Sequence, residues 1–492
     1  PNTVASYAAS NTSTPQETIG YAYDTGGRTT TVSDNRGLTS MSYEPNSDWV
    51  QSVTDPVTGT LAYTYNVWGE RSSMNLPGGG TWTYNYTPGG NAILYPYPPN
   101  EPAPSPVYGY GAGTTGGTMT LTKADDFGSM AMELTSVTDD QGRTINFTFN
   151  PGGHIASQVY DQVFSGSNVV SNVTAQYSYD STNWNPFQPT GQYNPFLPGT
   201  NTHYWLAQLT STYNGPSPIA GGPGSINRIL QQSTYAYDHA GLRTIYQTGT
   251  EPQASNGTIG AIVNRAENYT YDDLSRLATV NYGDGETQSY SFDAMGNRLG
   301  LSDTTASATT STSYGYDNAN RLTGVNVNGT NTPVTFDANG NTLADEAGRT
   351  FTWDSENRMI SCTLANGNVT SFTYGSDGLR RSMTVTSGGQ SQTTDYVWDG
   401  TMLVREMQVN NGEYAGPVGS LISATTYFQA GNGPAYRRND LGGSVPSWYV
   451  YNGLGSVVGE VDPAGNYIAS QEYDVYGNVR NTAQSSGSFN TR

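Results

Sequence analysis

The sequence contains little charge, almost no lysine and a single cysteine. Of its 492 residues 12% are charged, Lys123 is the only lysine and Cys362 is the only cysteine. One cysteine excludes an intrachain disulfide, but a large β protein can be secreted without disulfides, so the compartment stays open. The net charge of −20 argues against binding to nucleic acid or to an anionic membrane, because both need a basic surface.

Long apolar runs are also missing. No stretch of about 18 apolar residues occurs, so we predict no membrane span. The chain starts at Pro1 with neither an initiator methionine nor a signal peptide. We interpret it as a processed product or a fragment whose targeting information lies elsewhere.

The residues that are abundant favour β structure. Glycine (59) and tyrosine (37) are heavily used, and aromatic residues make up 12% of the chain. Tyrosine and threonine favour strands, whereas glycine, asparagine and aspartate favour turns. So much aromatic surface gives the chain apolar area to bury, which argues against general disorder. No amphipathic helix of three or more turns is evident, so the predicted fold class is all-β.

A short phrase recurs along the chain: aromatic, any residue, aromatic, Asp, turn, Arg. It reads YTYDDLSRL at 269–277 and FTWDSENRM at 351–359. The later arginines are separated by 22, 23, 37 and 22 residues; they are Arg276, Arg298, Arg321, Arg358 and Arg380. The gap of 37 residues contains a further unit, VTFDANGNTL, in which Asn341 takes the arginine position. A period of about twenty residues fits two strands and two turns. The signature residues are Tyr21, Tyr23, Asp24, Arg28, Tyr235, Tyr237, Asp238, Arg243, Tyr269, Tyr271, Asp272, Arg276, Asp293, Arg298, Tyr314, Tyr316, Asp317, Arg321, Trp353, Asp354 and Arg358.

Each repeat is predicted to be a β-hairpin. Alternation places both aromatics of a unit on one face of the sheet and the small polar residue on the other. Asp starts a tight turn, Gly or Asn accepts a left-handed conformation near its end, and the arginine can reach turn carbonyls or a neighbouring Asp. Because a lone hairpin is unstable in water, successive hairpins are expected to pair edge to edge into one long continuous sheet.

The repeats divide the chain into four stretches that we interpret as one continuous structural unit. Residues 1–94 and 231–400 carry regular repeats, and 95–230 carry irregular ones with proline-rich and aromatic-rich insertions. The insertion at 183–205 is expected to be ordered and to pack on or plug the sheet, since disordered linkers rarely hold so many aromatics. Residues 401–492 form a distinct last stretch.

The recurring aspartates could be catalytic carboxylates or structural turn residues. A glycoside hydrolase needs one pair of carboxyls roughly 5–10 Å apart, whereas these aspartates return at every turn, which favours the structural interpretation. A carbohydrate-active enzyme would need a pair outside the repeat positions, such as Asp125–Asp126 or Asp139–Asp140. Asp140 itself begins the repeat-like turn DQGR, which weakens the second pair.

Other candidate sites are weak. The G-x-G-x-x-G at Gly111, Gly113 and Gly116 lacks the strand and helix that a dinucleotide site requires, so it is predicted to be a loop. Asp337 to Asp345 has part of a calcium-loop pattern but no Gly at position six and no Glu at position twelve, which favours an ordinary Asx turn. The histidines, which are His154, His203 and His239, have no metal-ligand spacing. The sequence predicts no enzyme, no metal and no cofactor.

The repeated Y-x-Y-D-x-x-G-R phrase resembles the signature of the Rhs, or tyrosine–aspartate (YD) repeat, family. Residues 449–480 are similar to the start of the Rhs-associated core segment, with D-x-L-G-S-V, D-x-x-G and Y-D-x-Y/F-G phrases at close spacing. The matching positions are Leu454, Gly455, Ser456, Asp462, Gly465, Tyr473, Asp474 and Gly477. One departure is Asn452 where the family usually has Asp. The interpretation of 401–492 is therefore a truncated core segment.

The resemblance implies that the β-hairpin ribbon spirals into a large hollow barrel or shell. In bacterial relatives the shell encloses a C-terminal toxin, and in teneurins it is part of a cell-surface adhesion receptor. Family shells often cut their own chain at aspartates of a downstream D-P-x-G-L phrase. This chain stops before that phrase, and Asp462–Pro463 is an earlier turn.

The sequence supports two functional hypotheses. The first is a non-catalytic, secreted or cell-surface shell that encloses or presents a C-terminal cargo such as a toxin. The alternative is a surface adhesin or filament-forming extracellular protein that binds glycans or neighbouring subunits, because the 183–205 insertion is rich in Trp and Tyr. Expected partners are thus a cargo, neighbouring subunits or a cell-surface ligand, without nucleic acid.

Overall fold

A computed structural model describes residues 3–8, 11–88, 132–149, 155–165, 168–179, 205–216, 225–238, 240–252, 259–410, 421–430, 433–441 and 445–484. Within these ranges the secondary structure is 36 β-strands without a helix, which confirms the all-β prediction. No helix capable of crossing a membrane occurs among them. The proline-rich part of the irregular stretch, residues 95–110, lies outside the described residues, and so does the insertion predicted at 183–205, apart from Trp205.

Twenty-two strands belong to a first sheet: β1 (Thr3–Ala8), β2 (Asn11–Tyr23), β3 (Thr29–Asp34), β4 (Gly37–Tyr43), β5 (Val50–Asp55), β6 (Gly59–Tyr65), β7 (Arg71–Asn75), β8 (Thr81–Pro88), β9 (Met132–Thr138), β10 (Thr144–Phe149), β11 (Ile155–Ser165), β12 (Asn168–Tyr179), β13 (Leu206–Gly215), β14 (Ile226–Tyr237), β15 (Arg243–Thr250), β16 (Val263–Tyr271), β17 (Leu277–Asn281), β18 (Thr287–Phe292), β19 (Arg298–Thr304), β20 (Thr309–Tyr316), β21 (Leu322–Val327) and β22 (Thr330–Pro333).

Fourteen strands form a second sheet: β23 (Thr335–Phe336), β24 (Thr342–Ala344), β25 (Thr350–Trp353), β26 (Met359–Thr363), β27 (Val369–Tyr374), β28 (Arg380–Ser387), β29 (Gln390–Asp399), β30 (Met402–Asn410), β31 (Leu421–Ala430), β32 (Gly433–Asn439), β33 (Ser447–Tyr451), β34 (Val457–Val461), β35 (Tyr467–Tyr473) and β36 (Val479–Gln484). In both sheets each strand pairs antiparallel with the next strand along the chain, as expected for consecutive hairpins.

The hairpin of β16 and β17 shows how the repeat builds its turn. The Asp272 N–H donates to the Arg276 carbonyl at 2.9 Å, and the Ser275 N–H donates to the Asp272 carbonyl at 2.9 Å. Ser275 has φ 62°, and the pairing register shifts by one residue between Thr270 and Tyr271. This is a type I turn followed by a bulge in the left-handed region, the usual three-residue hairpin loop. Equivalent turns use glycine there, as at Gly27 with φ 84°.

The two faces of the ribbon differ in chemistry. The residue between the two aromatics faces a hydroxyl side chain across the hairpin, as in Thr270 with Thr279 at 2.6 Å and Thr373 with Ser382 at 2.6 Å. The aromatic face carries most of the buried side chains, including Tyr269 and Val280. One face of the ribbon therefore carries paired hydroxyl groups, and the other face is an apolar surface that other residues must cover.

The structure corrects the prediction of one continuous sheet, because pairing stops between β22 and β23. The Val334 N–H still donates to Thr323 of β21 at 2.9 Å, but β23 pairs only with β24. Pro333 has no N–H to donate. The next unit is also short, with two residues in β23 and three in β24. Strands this short do not pair with β22, so the first sheet ends at β22 and a second sheet begins at β23.

The hydrophobic core contains side chains of both sheets. The larger cluster joins Trp82 of the first sheet to Phe428 and Trp448 of the second. The rings of Trp82 and Phe428 meet edge-on with centroids 4.7 Å apart. A smaller cluster consists of tyrosines of the first sheet around Val280, including Tyr282, which is fully buried.

Candidate functional site

The signature aspartate closes its own turn through both carboxylate oxygens. In the first unit Asp24 Oδ1 accepts from the N–H groups of Gly26 and Arg28 at 2.9 Å, and Asp24 Oδ2 accepts from Arg28 Nε at 2.7 Å. The Arg28 hydrogen bonds hold the pKa of Asp24 below its ordinary value. The same three bonds recur in the pairs Asp272–Arg276, Asp317–Arg321 and Asp354–Arg358.

The arginine of such a unit also covers an aromatic ring of the next one. The Arg28 guanidinium lies 4.7 Å from the Tyr43 ring centroid, and Arg276 lies 5.0 Å from the Phe292 ring. A planar guanidinium can pair with a carboxylate and stack on a ring at the same time, which a lysine ammonium cannot do. This double role accounts for the near absence of lysine from the sequence.

Arg243 and Arg298 depart from the Asp–Arg pairing that the sequence suggested. They stand five residues after the turn aspartate rather than four, and Asn297 takes the fourth position and donates to Asp293 Oδ2 at 2.8 Å. Arg298 pairs across the ladder with Phe292, so its side chain joins the aromatic face. There it lies 4.4 Å from the Tyr314 ring, and Arg243 lies 5.4 Å from the Tyr269 ring.

The second aromatic of a unit links neighbouring hairpins by a hydrogen bond that sequence reasoning missed. Tyr271 donates its hydroxyl to the Arg243 carbonyl at 2.7 Å, Tyr316 donates to the Arg298 carbonyl at 3.0 Å, and Tyr237 donates to Leu206 at 2.9 Å. Trp353 makes the equivalent bond through Nε1 to Thr342 at 2.7 Å. The available signal is the frequent choice of Tyr or Trp, rather than Phe, at this position. In the first unit the rings of Tyr21 and Tyr23 lie 6.4 Å apart.

The core-like motif consists of three such turns in the second sheet. Asn452 takes the aspartate position and accepts from the N–H groups of Leu454 and Ser456 at 3.0 Å, with Gly455 at φ 80°. The turns at Asp462 and Asp474 use Asn466 and Asn478 in the arginine position, with Gly465 and Gly477 in the left-handed region. Tyr473 donates to the Val457 carbonyl at 2.9 Å.

These turns contact the first sheet. The Gly453 N–H donates to the Tyr235 hydroxyl at 2.6 Å, and the Val475 N–H donates to the Tyr282 hydroxyl at 3.3 Å. Tyr467 donates to the Leu230 carbonyl at 2.9 Å. The core-like segment therefore contacts Tyr235 and Tyr282, which lie 218 and 193 residues before their partners in the chain.

We call the line of contacts between the two sheets the seam. Most of its contacts follow the same order along both sheets: the second-sheet residues advance from Arg381 to Arg480 while their partners advance from residue 55 to residue 286. The ion pairs and hydrogen bonds that mark it are Arg381–Asp55, Arg71–Asp399, Arg405 to the Pro77 carbonyl, Arg438–Asp140, Arg265–Glu472 and Arg480–Asp284. The second sheet thus runs alongside the first in the same direction.

Asp139 and Asp140, considered above as a carboxylate pair, are part of this seam. Asp139 is buried and accepts from Arg143 and Tyr436, and Asp140 is bound by both terminal nitrogens of Arg438 at 2.8 and 3.1 Å. Burial raises the pKa of Asp140, but the Arg438 hydrogen bond and charge outweigh it and leave the pKa below its ordinary value. Each carboxylate forms an ion pair with an arginine, so the two aspartates stabilise the structure at the seam.

The remaining catalytic candidates give no site in the part of the chain that the structure describes. Asp125–Asp126, the G-x-G-x-x-G and the histidines lie outside the described residues. Asp337 accepts from the N–H groups of Asn339 and Asn341 as an ordinary Asx turn does. No group of three potential metal ligands occurs in the described ranges, and Cys362 is partly buried in β26.

Comparison with known proteins places the sequence in context. Residues 256–490, just under half of the chain, match the Teneurin YD-shell family. The tRNA3(Ser)-specific nuclease WapA of Bacillus spizizenii is 27% identical over 218 residues, and the tRNA nuclease WapA of Bacillus subtilis is 25% identical over the same length. The match covers 44% of this chain and 8% of either relative.

Solved structures that resemble the chain include the TcdB2-TccC3 complex, alone and with Cdc42. The identity to each is 12%, and the comparison covers 96% of this chain and 27–28% of the solved chain, with TM-scores of 0.33 and 0.34. Such TM-scores are too low to establish a shared fold. The relationship therefore rests on the sequence match and the repeat signature: residues 256–490 are similar to the Teneurin YD-shell family.

Proposed function

We propose that the chain is the wall of a non-catalytic shell that encloses or presents a cargo. The observation that carries this proposal is the seam, where the second sheet lies alongside the first in matching order. A ribbon of hairpins that passes beside its own earlier strands, in the same direction, has the path of successive turns of a spiral. A spiral of this kind surrounds a space rather than filling it.

The chemistry of the ribbon supports a wall with a wet face. The hydroxyl face is formed by paired Thr and Ser side chains that satisfy one another, as in Thr352 with Ser361 at 2.6 Å. Such a surface tolerates water and offers no strong attachment point to an enclosed polypeptide. The turn carboxylates are engaged by their own backbone and side-chain donors, so the signature aspartates are structural in this proposal.

The cargo is proposed to be a separate C-terminal segment, such as a toxin, and the setting to be extracellular or at the cell surface. The nuclease names of the WapA relatives describe proteins of which the matched segment is 8%. In the proposal this chain contributes the enclosure and the catalytic activity belongs to what it encloses.

A fused reporter tests enclosure. We would attach a flexible, protease-sensitive polypeptide to the C-terminus of the chain and follow its digestion by a nonspecific protease. The proposal predicts protection relative to the same reporter on an unrelated β protein, and loss of protection when the seam is broken by Arg71→Met together with Arg438→Met. Digestion at the rate of the unrelated fusion would contradict enclosure.

The adhesin alternative is favoured by one observation, a pair of half-exposed tryptophans on neighbouring turns. Trp49 is 40% exposed and Trp68 is 38% exposed, and Trp49 lies against Gly69 of the turn that carries Trp68. Exposed aromatic faces stack on sugars, so this edge is the place where a glycan would bind. A glycan array compared with the Trp49→Ala and Trp68→Ala variants tests it, and an array without hits removes the alternative.

A further inference from the structure

The end of the seam carries more carboxylates than arginines. There β35 and β36 of the second sheet meet β16 of the first sheet and the turn between β17 and β18. We call this contact the seam-end cluster. Its charged members are Arg265, Glu267, Asp284, Glu286, Asp303, Glu472 and Arg480. When all of them are ionised, two arginines face five carboxylates.

Arg265 is shared by carboxylates of both sheets. Its Nη1 lies 3.0 Å from Glu472 Oε2 of the second sheet and 3.2 Å from Asp284 Oδ2 of the first. Its Nη2 lies 3.6 Å from Oε1 of Glu267, a residue that is 6% exposed. A guanidinium divided among three carboxylates compensates each of them less well than it would compensate one. An ionised Glu267 therefore weakens the hold of Arg265 on the second sheet.

Arg480 makes the second attachment, and a similar competition acts on it. Its Nη2 donates to Asp284 at 2.8 Å and to Glu286 at 2.5 Å. The side-chain amide of Gln288 is in turn divided between Glu286 Oε1 and Asp303 Oδ2, both at 3.3 Å. Asp303 Oδ1 is buried and has no hydrogen-bond partner among the described residues. An ionised Asp303 thus places a poorly compensated charge beside the carboxylate that holds Arg480.

Four tyrosines pack around these carboxyls, and they are Tyr246, Tyr269, Tyr282 and Tyr290. Burial raises the pKa of each, so all four stay protonated up to about pH 10. Two further charged groups lie nearby. Arg243 of β15 lies against the Tyr269 ring, and Asp474, in the turn between β35 and β36, adds negative charge near Asp303. The groups of the cluster that can change charge between mild acid and neutrality are therefore its carboxyls.

We propose that protonation of Glu267 and Asp303 tightens the attachment of β35 and β36 to the first sheet, so that this end of the seam is held in mild acid and loosens towards neutral pH. A proton on Glu267 leaves Arg265 to Asp284 and Glu472. A proton on Asp303 removes the uncompensated charge beside Gln288. Two arginines then face three carboxylates instead of five. This switch lies in the wall itself and does not depend on an enclosed cargo.

The direction of the titration agrees with this geometry. Burial raises the pKa of Glu267 against the hydrogen bond from Tyr269, and burial also raises the pKa of Asp303. A carboxyl of this kind contributes stability that is complete below its ordinary pKa of about 4 and is lost as the pH rises through the raised value. Burial acts on Asp284 too, but the Arg480 hydrogen bond leaves its pKa below the ordinary value. The opposite contribution of Asp284 is therefore lost only below about pH 4.

Hydrogen exchange of β35 and β36 tests the switch on the intact chain. Exchange would be measured from about pH 4.5 to 7.5 and corrected for the dependence of the chemical exchange rate on pH. We expect the opening equilibrium of both strands to rise with pH, by up to about ten-fold per pH unit for each proton released on opening. Strand β32 is the internal reference and should show no parallel rise, because its part of the seam has equal numbers of both charges. The pairs there are Arg143–Asp139, Arg438–Asp140 and Arg405–Asp440.

The variants Glu267→Gln and Asp303→Asn identify the responsible groups. Each should reduce the pH response of β35 and β36, and the double variant should keep the opening equilibrium constant to within about two-fold. Asp273→Asn is the matched control: Asp273 is exposed in the turn after β16, so this variant removes the same charge and should keep the wild-type response.

If the double variant folds poorly, Glu472→Gln replaces it. This substitution removes the second-sheet partner of Arg265, so β35 should open more readily in acid and the response to pH should flatten. Three results would overturn the proposal: a wild-type response that is flat after correction, a response that β32 shares, or a response that persists in the double variant or in Glu472→Gln.

Discussion

The ion pair of Arg71 with Asp399 offers a direct perturbation of the seam. Arg71 lies in the first sheet and Asp399 in the second, and the Asp399 carboxylate also accepts from the Tyr63 hydroxyl at 3.1 Å. The Arg71 guanidinium lies 4.4 Å from the Tyr63 ring centroid. Arg71→Met keeps the length of the side chain and removes its charge, so it leaves Asp399 with the tyrosine alone.

The expected cost follows from the burial of the two partners. The Asp399 side chain is 4% exposed, whereas that of Arg71 is 27% exposed. Removing one member of a fully buried pair costs about 3–5 kcal/mol, and the partial exposure of Arg71 reduces this because water screens the charge. We expect Arg71→Met to reduce the local stability of the seam by about 2–3 kcal/mol. Adding Asp399→Asn should recover most of it, since a neutral amide needs no cation and still accepts from Tyr63.

Native-state hydrogen exchange of residues 396–405 is the suitable assay, because a chain of 492 residues need not unfold in one step and local opening free energies do not require it. Arg349→Met is the matched control. The partner of Arg349, Asp345, lies in the same turn, and the Arg349 side chain is 48% exposed. The substitution should therefore lower the local stability by less than about 1 kcal/mol. The reasoning is refuted if Arg71→Met costs no more than this control, or if the double variant is as unstable as Arg71→Met.

Three further predictions address the core, the turn and the tyrosines. Trp448→Ala empties a fully buried site and should cost about 3–5 kcal/mol in denaturant unfolding; a cost below about 1 kcal/mol would contradict the packing of the two sheets. Ser275→Val should lower the stability of its hairpin by about 1 kcal/mol because φ is 62° there, whereas Ser275→Gly should be tolerated; equal effects in hydrogen exchange would refute the turn. Burial raises the pKa of Tyr246 to about 12. The stability that the protonated Tyr246 hydroxyl contributes is therefore complete below about pH 10 and is lost as the pH rises through 12. In a titration followed by tyrosinate absorbance, Tyr246→Phe should show one late-titrating group fewer than the wild type.

The repeat unit was predictable from the sequence because its determinants are local. The alternation in YTYDDLSRL, the Asp at the turn and the small residue near its end specify a hairpin within nine residues, and Asp272 and Arg276 meet as local spacing suggests. The same reasoning treated Arg298 as an equivalent of Arg276. One extra residue after the aspartate places Arg298 on the aromatic face and gives Asn297 its position, a distinction that a count of four against five could have made.

The seam could not be predicted, since its determinants are far apart. Nothing in the local sequence of Arg438, in β32, or of Asp140, in a turn, indicates that the two meet, and they lie 298 residues apart along the chain. The interruption at Pro333 was equally hidden: proline is compatible with an edge strand, and whether the ladder continues depends on the length of the neighbouring strands. The repeats determine the structure of a single hairpin, but they do not determine which distant hairpins contact each other.

Small-angle scattering of the chain in solution tests the central claim most directly. A solid globule of 492 residues has a radius of gyration of about 23 Å. A spiral wall around an empty space places its mass far from the centre. The account predicts a larger radius of gyration, with a pair-distance distribution shifted to long distances and a minimum in the scattering curve typical of a hollow body. A distribution that fits a solid globule or a uniform rod would contradict it.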